Sequence, residues 1–576
     1  MFRPDPVLGL VVALVAGVEA AEMRWQSVGL ASSGWMRSIC ADPRNENVLW
    51  AVADMGGGIL KTDNGGRSWR DVMENAIRDT NQGTFANIFI HPKGLLFVGY
   101  RSSFIRSSDD GRTWETTDAK LEIDPTWMEF QEARPNLVYA VNNLGTVFRS
   151  ADTGKTWQTA FQEPQKAELE KRREFRVPGY FAKIKAMATE GAPGYVLYRN
   201  HPHFGVTTSR DEGKTWSECN SGLPHREVIG LDTYCAEKTK ERLLFALLQA
   251  KLNAQGNGWV GGVYVSSDGG RSWTERNKGI VTHVPPQFLA KHLPEFNSLV
   301  AAKKVRGLLY VLGGRLGDRQ VALLRSEDAG QNWVCLHTNY VNVNTDGTPR
   351  EICRIPYPNM LSLAQSNPDI LYCFASSPML RFEQRGRIAR QIEYQPINFE
   401  TGKYRWLGVS HVCTKGVAAD PAQDFVHTIN HDVGYNRVDL KEGVVDFRSV
   451  RHSPWSQGNA ILVDPENPGT VFFGGSELSS YKDNPKNGAI FKSSDYGQTF
   501  RSTRDQQDSG LPSGFIFDLA LDLTSPKERR RVYASVGGAG VFASEDGGET
   551  WRSVHGNLPP VSVKTSELSV QRLHVD

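Results

Sequence analysis

One eight-residue pattern, Ser-x-Asp-x-Gly-x-Thr-Trp, recurs along this 576-residue chain and constrains its fold more than any other feature. It reads SSDDGRTW from Ser107, SADTGKTW from Ser150, SRDEGKTW from Ser209 and SSDGGRSW from Ser266. Looser copies are TDNGGRSW from Thr62, SEDAGQNW from Ser326, SSDYGQTF from Ser493 and SEDGGETW from Ser544. The third-position residues Asn64, Asp109, Asp152, Asp211, Asp268 and Asp328 follow one another at near-regular intervals. Such a recurrence marks one supersecondary unit repeated, each copy burying its apolar face against the next. Each copy follows a β-rich stretch, such as NLVYAV and GTVFRS before Asp152 or RVYASV and GVFASE before Asp546. The unit therefore reads as four short strands with the motif in the turn between the third and fourth. In such a turn the Asp accepts local hydrogen bonds, the Gly takes a positive φ, and the Trp buries a large apolar area between units.

This motif is the Asp-box, and the chain resembles the sialidase-like and related β-propellers that carry it. The resemblance implies an all-β fold, a β-propeller of four-stranded blades. The long interval between Asp328 and Asp495 holds two further blades without a box, one with NPDILYCF and MLRFE from Asn367 and one with DPAQDFVHTI and YNRVDL from Asp420. The expectation is about ten blades, forming either one large ring or a seven-bladed ring plus a partial second. The divisions expected are 1–21, 22–404 for blades 1 to 7, and 405–576 for blades 8 to 10.

Composition narrows the class. With 39% hydrophobic residues the chain has material for a core, which excludes a disordered protein. A formal charge of +2 gives no reason to expect nucleic acid as a partner. Residues 1–21 read as a signal peptide, with Arg3 ahead of the apolar run Val7 to Val18 and small residues at Val18 and Ala20, so a secreted or periplasmic protein is expected. No later stretch is long and apolar enough to suggest a membrane span in the mature chain. Of the seven cysteines, Cys219 with Cys235 and Cys335 with Cys353 are close enough in sequence to form bridged loops, and an odd number leaves at least one thiol. None has CxxC spacing, and neither a metal site nor a cofactor motif is read from the chain.

A second level of repetition selects two carboxylates. ICADPRNENVLWAVADMGGGILKTD near the start is echoed by VAADPAQDFVHTINHDVGYNRVDL, each preceded by Arg-Trp, at Arg24 and Arg405. The spacing from Pro43 to Asp54 equals that from Pro421 to Asp432. Each Asp ends a second strand and is followed by a Gly-containing turn, whereas the equivalent turns near Asn143, His201 and Gly537 carry no carboxylate there. Strand ends alternate between two rims, so Asp54 and Asp432 belong to the rim opposite the boxes. The long segments Glu163 to Pro178, Val281 to Asn297 and Asn339 to Asn359 fall in blade-to-blade links on that same rim, where a binding site is usually built.

At these residues, clearest over Arg24–Trp69 and Arg405–Asp439, the chain resembles the xyloglucanase family of glycoside hydrolases. The resemblance implies two facing propellers, a general base at Asp54, a general acid at Asp432, and inverting endo-cleavage of a β-glucan such as xyloglucan. Aromatic faces suit sugar rings, so Trp35, Trp127, Trp259 and Trp455 are candidate substrate contacts, with His201 and His203 of the NHPHFG turn. The alternative is a non-catalytic, sortilin-like propeller taking a peptide or protein, which suits a ten-bladed ring. A sialidase is less well supported, because Arg354, Ile355 and Pro356 match its Arg motif but sit in mid-chain rather than before the first box.

Overall fold

The repeated sequence folds as repeated antiparallel sheet. The computed structural model of the chain describes residues 36–575 apart from connecting segments, of which 73–84, 165–181, 281–292, 447–455, 478–487 and 557–572 are the longest; 54–57 and 431–433 also lie outside. Nine sheets have four strands in chain order, one has six, and a separate two-stranded hairpin joins Val341–Val343 to Pro349–Glu351. Blade 8 is the six-stranded sheet, because the hairpin Tyr394–Asn398 and Lys403–Trp406 adds to its outer strand Val444–Asp446. Ten blades are therefore present among the described residues, and no helix there is long and apolar enough to cross a membrane.

A pair of residues at the start of each second strand builds the packing. The pair reads Leu49-Trp50, Leu96-Phe97, Val138-Tyr139, Leu197-Tyr198, Leu244-Phe245, Leu309-Tyr310, Leu371-Tyr372, Val426-His427, Val471-Phe472 and Val532-Tyr533. Successive side chains in a strand face opposite sides, so each pair gives one group to each face of its sheet. Several aromatic members abut the following blade's box glycine: a Cβ on Gly111 would lie 2.8 Å from Trp50, one on Gly154 would collide with Phe97, and one on Gly548 would lie 2.9 Å from Phe472. The glycine is required twice over, by this close approach and by its φ of 80°, 76° and 91° respectively.

The first strands of blades 1 to 7 adjoin one another in order, and that of blade 7 (Pro358–Leu363) adjoins that of blade 1 (Met36–Ala41). The ring thus closes after seven blades. Four contacts join blade 7 to blade 1: Ala41 N donates to Ser362 Oγ (2.9 Å), Tyr372 Oη to Glu46 O (2.6 Å), Arg381 to Asn47 Oδ1 (3.1 Å) and Trp69 Nε1 to Ile392 O (2.8 Å). Of the two expected arrangements, the structure has the seven-bladed ring followed by three further blades. The chain forms two compact units, Ser33–Glu393 and Tyr394–Asp576.

First strands carry a feature that the sequence did not announce. In nine of the ten blades an extra residue interrupts the pairing near the strand's start, as between Met36 and Ser38, Phe296 and Ser298, or Ile516 and Asp518. Such bulges re-aim side chains. Polar groups on these strands then reach the next blade: Ser38 Oγ accepts from Ile88 N (3.4 Å), Asp232 Oδ2 from Ala301 N (2.8 Å) and Ser298 Oγ from Leu361 N (3.2 Å). In the second unit Asp518 Oδ2, on the first strand of the last blade, accepts from Leu573 N (2.8 Å) near the chain's end.

Candidate functional site

The boxes have the structural role expected of them. In the second blade Ser107 Oγ donates to Asp109 Oδ1 (2.8 Å) and accepts from Gly111 N (2.9 Å). Asp109 also accepts from Thr113 N (2.9 Å) and Thr113 Oγ1 (2.6 Å). The same set recurs around Asp152, Asp211, Asp268, Asp328, Asp495 and Asp546. Every carboxylate oxygen is engaged by the turn's own donors, which leaves these groups as turn formers. Donors led by Thr113 and Thr215 hold Asp109 and Asp211 at a pKa of about 2; at Asp152 and Asp268 burial pushes the carboxyl up, but the turn's donors together outweigh it and hold the same value. In the first blade Asn64 substitutes by donating to Ser68 Oγ (2.8 Å) while its Oδ1 accepts from Ser68 N (3.0 Å).

Register fixes the place in the chain of the two selected carboxylates. Asp54 follows the second strand Leu49–Ala53 of blade 1, and Asp432 follows Phe425–Asn430 of blade 8. Both residues lie outside the described residues, as do Trp35, Trp455, Arg354, Cys353 and the segment 1–21. Strand pairing refines their equivalence. Ala41 pairs with Leu49 whereas Ala419 pairs with Val426, so the first turn of blade 8 is one residue shorter. The equal spacings from proline to aspartate therefore put Asp54 one residue beyond its strand and Asp432 two residues beyond.

Four candidate contacts are described, and they are mostly structural. Trp127 and Trp259 are in strands Pro125–Phe130 and Trp259–Ser266. Trp127 is packed edge-on against Phe89 and has the ammonium groups of Lys183 and Lys185 4.9 and 4.3 Å from its ring centroid. Trp259 stands near the tip of the long second hairpin of blade 5 and rests on Phe296, with ring centroids 5.9 Å apart. His201 is fully buried. Its Nδ1 accepts from His203 N (3.2 Å) and Phe204 N (3.3 Å), and burial, then Arg199 and His203, lower its pKa to about 3. The neutral ring braces a turn and offers nothing to a ligand in the surrounding water. His203 is half-buried beside it.

The bridge considered between Cys219 and Cys235 is not formed, since Cys219 retains its thiol. No cluster of three or more metal-ligating side chains is found among the described residues.

Sequence reasoning missed a charged cluster on the first strands of the ring. Lys185 Nζ lies 2.8 Å from Asp232 Oδ1, and Glu129 Oε1 accepts from Ala186 N (3.2 Å). Burial would lower Lys185, but Asp232 and Glu129 reverse that and raise it. Lys183 reaches from blade 4 to Leu299 O of blade 6 (3.4 Å), and burial together with Lys185 lowers it to about 8. The alternating lysines of AKIKA were the available signal.

Fold and turns together define an Asp-box β-propeller protein. A family model described as photosynthesis system II assembly factor YCF48 matches residues 18–226. Among solved structures the chain is similar to the GH74 xyloglucanase of Xanthomonas campestris, with 14% identity, 93% of this chain and 76% of that one covered, and a TM-score of 0.63. It is similar to a GH74 enzyme of Niastella koreensis (12% identity, 91% and 73% covered, TM-score 0.62). An ancestral GH74 enzyme gives 16% identity, 92% and 69% covered, and a TM-score of 0.63. At these identities the likeness is one of fold. No curated protein matches the sequence.

Proposed function

We propose that the protein is an exported glycoside hydrolase that cleaves a β-glucan such as xyloglucan internally and with inversion, Asp432 serving as general acid and Asp54 as general base. The observation that carries this reading is closure of the first ring after seven blades. Asp54 and Asp432 then belong to the opening blade of each of two units rather than to distant blades of one wide ring. The fold likeness to GH74 enzymes over more than nine-tenths of the chain supports it.

In the proposed reaction the carboxylic acid of Asp432 protonates the leaving glycosidic oxygen. The carboxylate of Asp54 removes a proton from water attacking the anomeric carbon from the opposite face. Inversion needs the carboxyls roughly 6.5–9.5 Å apart, with room for that water. In this reading Trp259, near the tip of the second hairpin of blade 5, offers an aromatic face for stacking on a glucan.

The test is release of reducing ends from xyloglucan and a panel of other polysaccharides by the wild-type protein, Asp54→Ala and Asp432→Ala. Activity on one polymer, lost in both folded variants, supports the hydrolase. The rival is a non-catalytic propeller binding a peptide or protein, which the match to an assembly-factor family model favours. It is supported instead if wild type and variants alike release nothing.

A further inference from the structure

We propose that the interior of the seven-bladed ring holds a binding site for a small carboxylate, with the ammonium of Lys183, the indole Nε1 of Trp127 and the amide Nδ2 of Asn297 as its donors. This inference is independent of the hydrolase reading. First strands form the inner wall of the ring, and the three residues belong to or adjoin them. Trp127 lies in Pro125–Phe130 of blade 3, Lys183 directly precedes Ile184–Ala188 of blade 4, and Asn297 lies in Glu295–Ala301 of blade 6. The Lys183 side chain spans from blade 4 to Leu299 O of blade 6, two residues from Asn297, and its Nζ is 4.9 Å from the centroid of the Trp127 ring. Three blades thus bring these groups to one region of the ring.

Each of the three has donor capacity that the protein does not use. Lys183 and Asn297 are 7% and 9% exposed. Among the described residues, Trp127 Nε1 and Asn297 Nδ2 are buried without a hydrogen-bond partner. Lys183 has one long bond, 3.4 Å to Leu299 O, and no ion pair. A buried donor left unpaired is costly, and a buried ammonium without a matched counter-charge more so. Asn297 is also the extra residue of its first-strand bulge, which Gln249 of blade 5 holds at both ends of its amide, donating to Phe296 O (2.8 Å) and accepting from Phe296 N (3.2 Å). Bulges of this kind re-aim side chains and recur beside binding sites.

Charge selects the ligand. Lys185 is already matched by Asp232 Oδ1 at 2.8 Å, the second oxygen of Asp232 accepts from Ala301 N (2.8 Å), and Glu129 Oε1 accepts from Ala186 N (3.2 Å). Lys183 is therefore the ammonium still lacking a partner, while the two carboxylates nearby disfavour a dianion such as sulfate. A planar carboxylate brings one negative charge and two oxygens with several lone pairs, enough for three N–H donors arriving from different blades. Burial, then Lys185, push Lys183 down to about 8, and a bound carboxylate would oppose both.

The experiment uses formate as the probe and the full chain as the protein. Saturation-transfer NMR reads binding by wild type, Lys183→Met and Asn297→Leu, and melting temperatures in formate and in chloride at equal ionic strength show that each variant is folded. The proposal expects transfer to formate from wild type, displaced by acetate but not by chloride, and none from Lys183→Met. Asn297→Leu, which loses one neutral donor, should weaken binding about 3- to 10-fold. Binding requires the charged amine, so affinity should be level below pH 8 and fall roughly tenfold per pH unit above it. The site is overturned if wild type gives no transfer at millimolar formate, if folded Lys183→Met gives as much as wild type, or if affinity does not change with pH across that range. Displacement by chloride as readily as by acetate would overturn the carboxylate assignment.

Discussion

A box aspartate and a ring lysine show opposite uses of burial and hydrogen bonding. Each box Asp gathers donors that favour its charged form, so its folded pKa is depressed from 3.8 to about 2 at Asp109, Asp152, Asp211 and Asp268. A depressed carboxylate contributes stability above its unfolded pKa and loses it as pH falls through the folded one. Tryptophan fluorescence should accordingly report loosening of the boxes between pH ~4 and ~2. Asp268→Ala should cost about 1–2 kcal/mol in urea unfolding, through the bonds lost to Ser266 and Ser272. Lys183 has the reverse linkage. Its pKa is 10.5 when unfolded and about 8 when folded, so its cost is full below pH 8 and is relieved as pH rises to 10.5. Lys183→Met should then stabilise the protein by about 3 kcal/mol at pH 7, with the gain gone above pH 10.5. A gain that does not change with pH would show that packing, not charge, is responsible. Box chemistry was legible because all its donors lie within one short motif. The lysine cluster was not, because Lys185, Asp232 and Glu129 meet only when three blades do.

At the scale of the blade, the second-strand aromatic and the next box glycine form the joint. Gly111→Ala should cost about 2 kcal/mol or more, since the methyl group meets Trp50 at 2.8 Å and φ is 80°. The companion variant Trp50→Phe/Gly111→Ala should recover part of that in thermal melts if the ring contact is the cause. The strands were legible in the sequence because NLVYAV and its relatives alternate with turn residues at regular intervals. First-strand bulges were not. An extra residue leaves no mark in so short a strand, and only pairing exposes it. The same blindness affected the candidate site. Equal spacing from Pro43 to Asp54 and from Pro421 to Asp432 concealed a one-residue difference in the preceding turn, which the pairing of Ala41 and Ala419 reveals. His201, a candidate ligand contact by its place in the NHPHFG turn, is buried and braces that turn.

At the scale of the whole molecule, blade number was readable but closure was not, because counting repeats does not say which blade meets the first. Trp69, Tyr372 and Ser362 supply that answer through contacts that join the seventh blade back to the first. A ring so closed should be self-sufficient, and a protein comprising residues 22–393 is expected to unfold cooperatively in urea. Trp69→Ala, which removes the Ile392 contact and a buried indole, should destabilise that ring by about 3–5 kcal/mol. The central claim, that Asp54 and Asp432 act as an inverting pair, is tested most directly by proton NMR of xyloglucan digestion, followed from the first turnover. The account predicts that the new reducing end appears first as the α-anomer and that neither Asp54→Ala nor Asp432→Ala produces it. Initial appearance of the β-anomer, or unchanged cleavage by either folded variant, would contradict it.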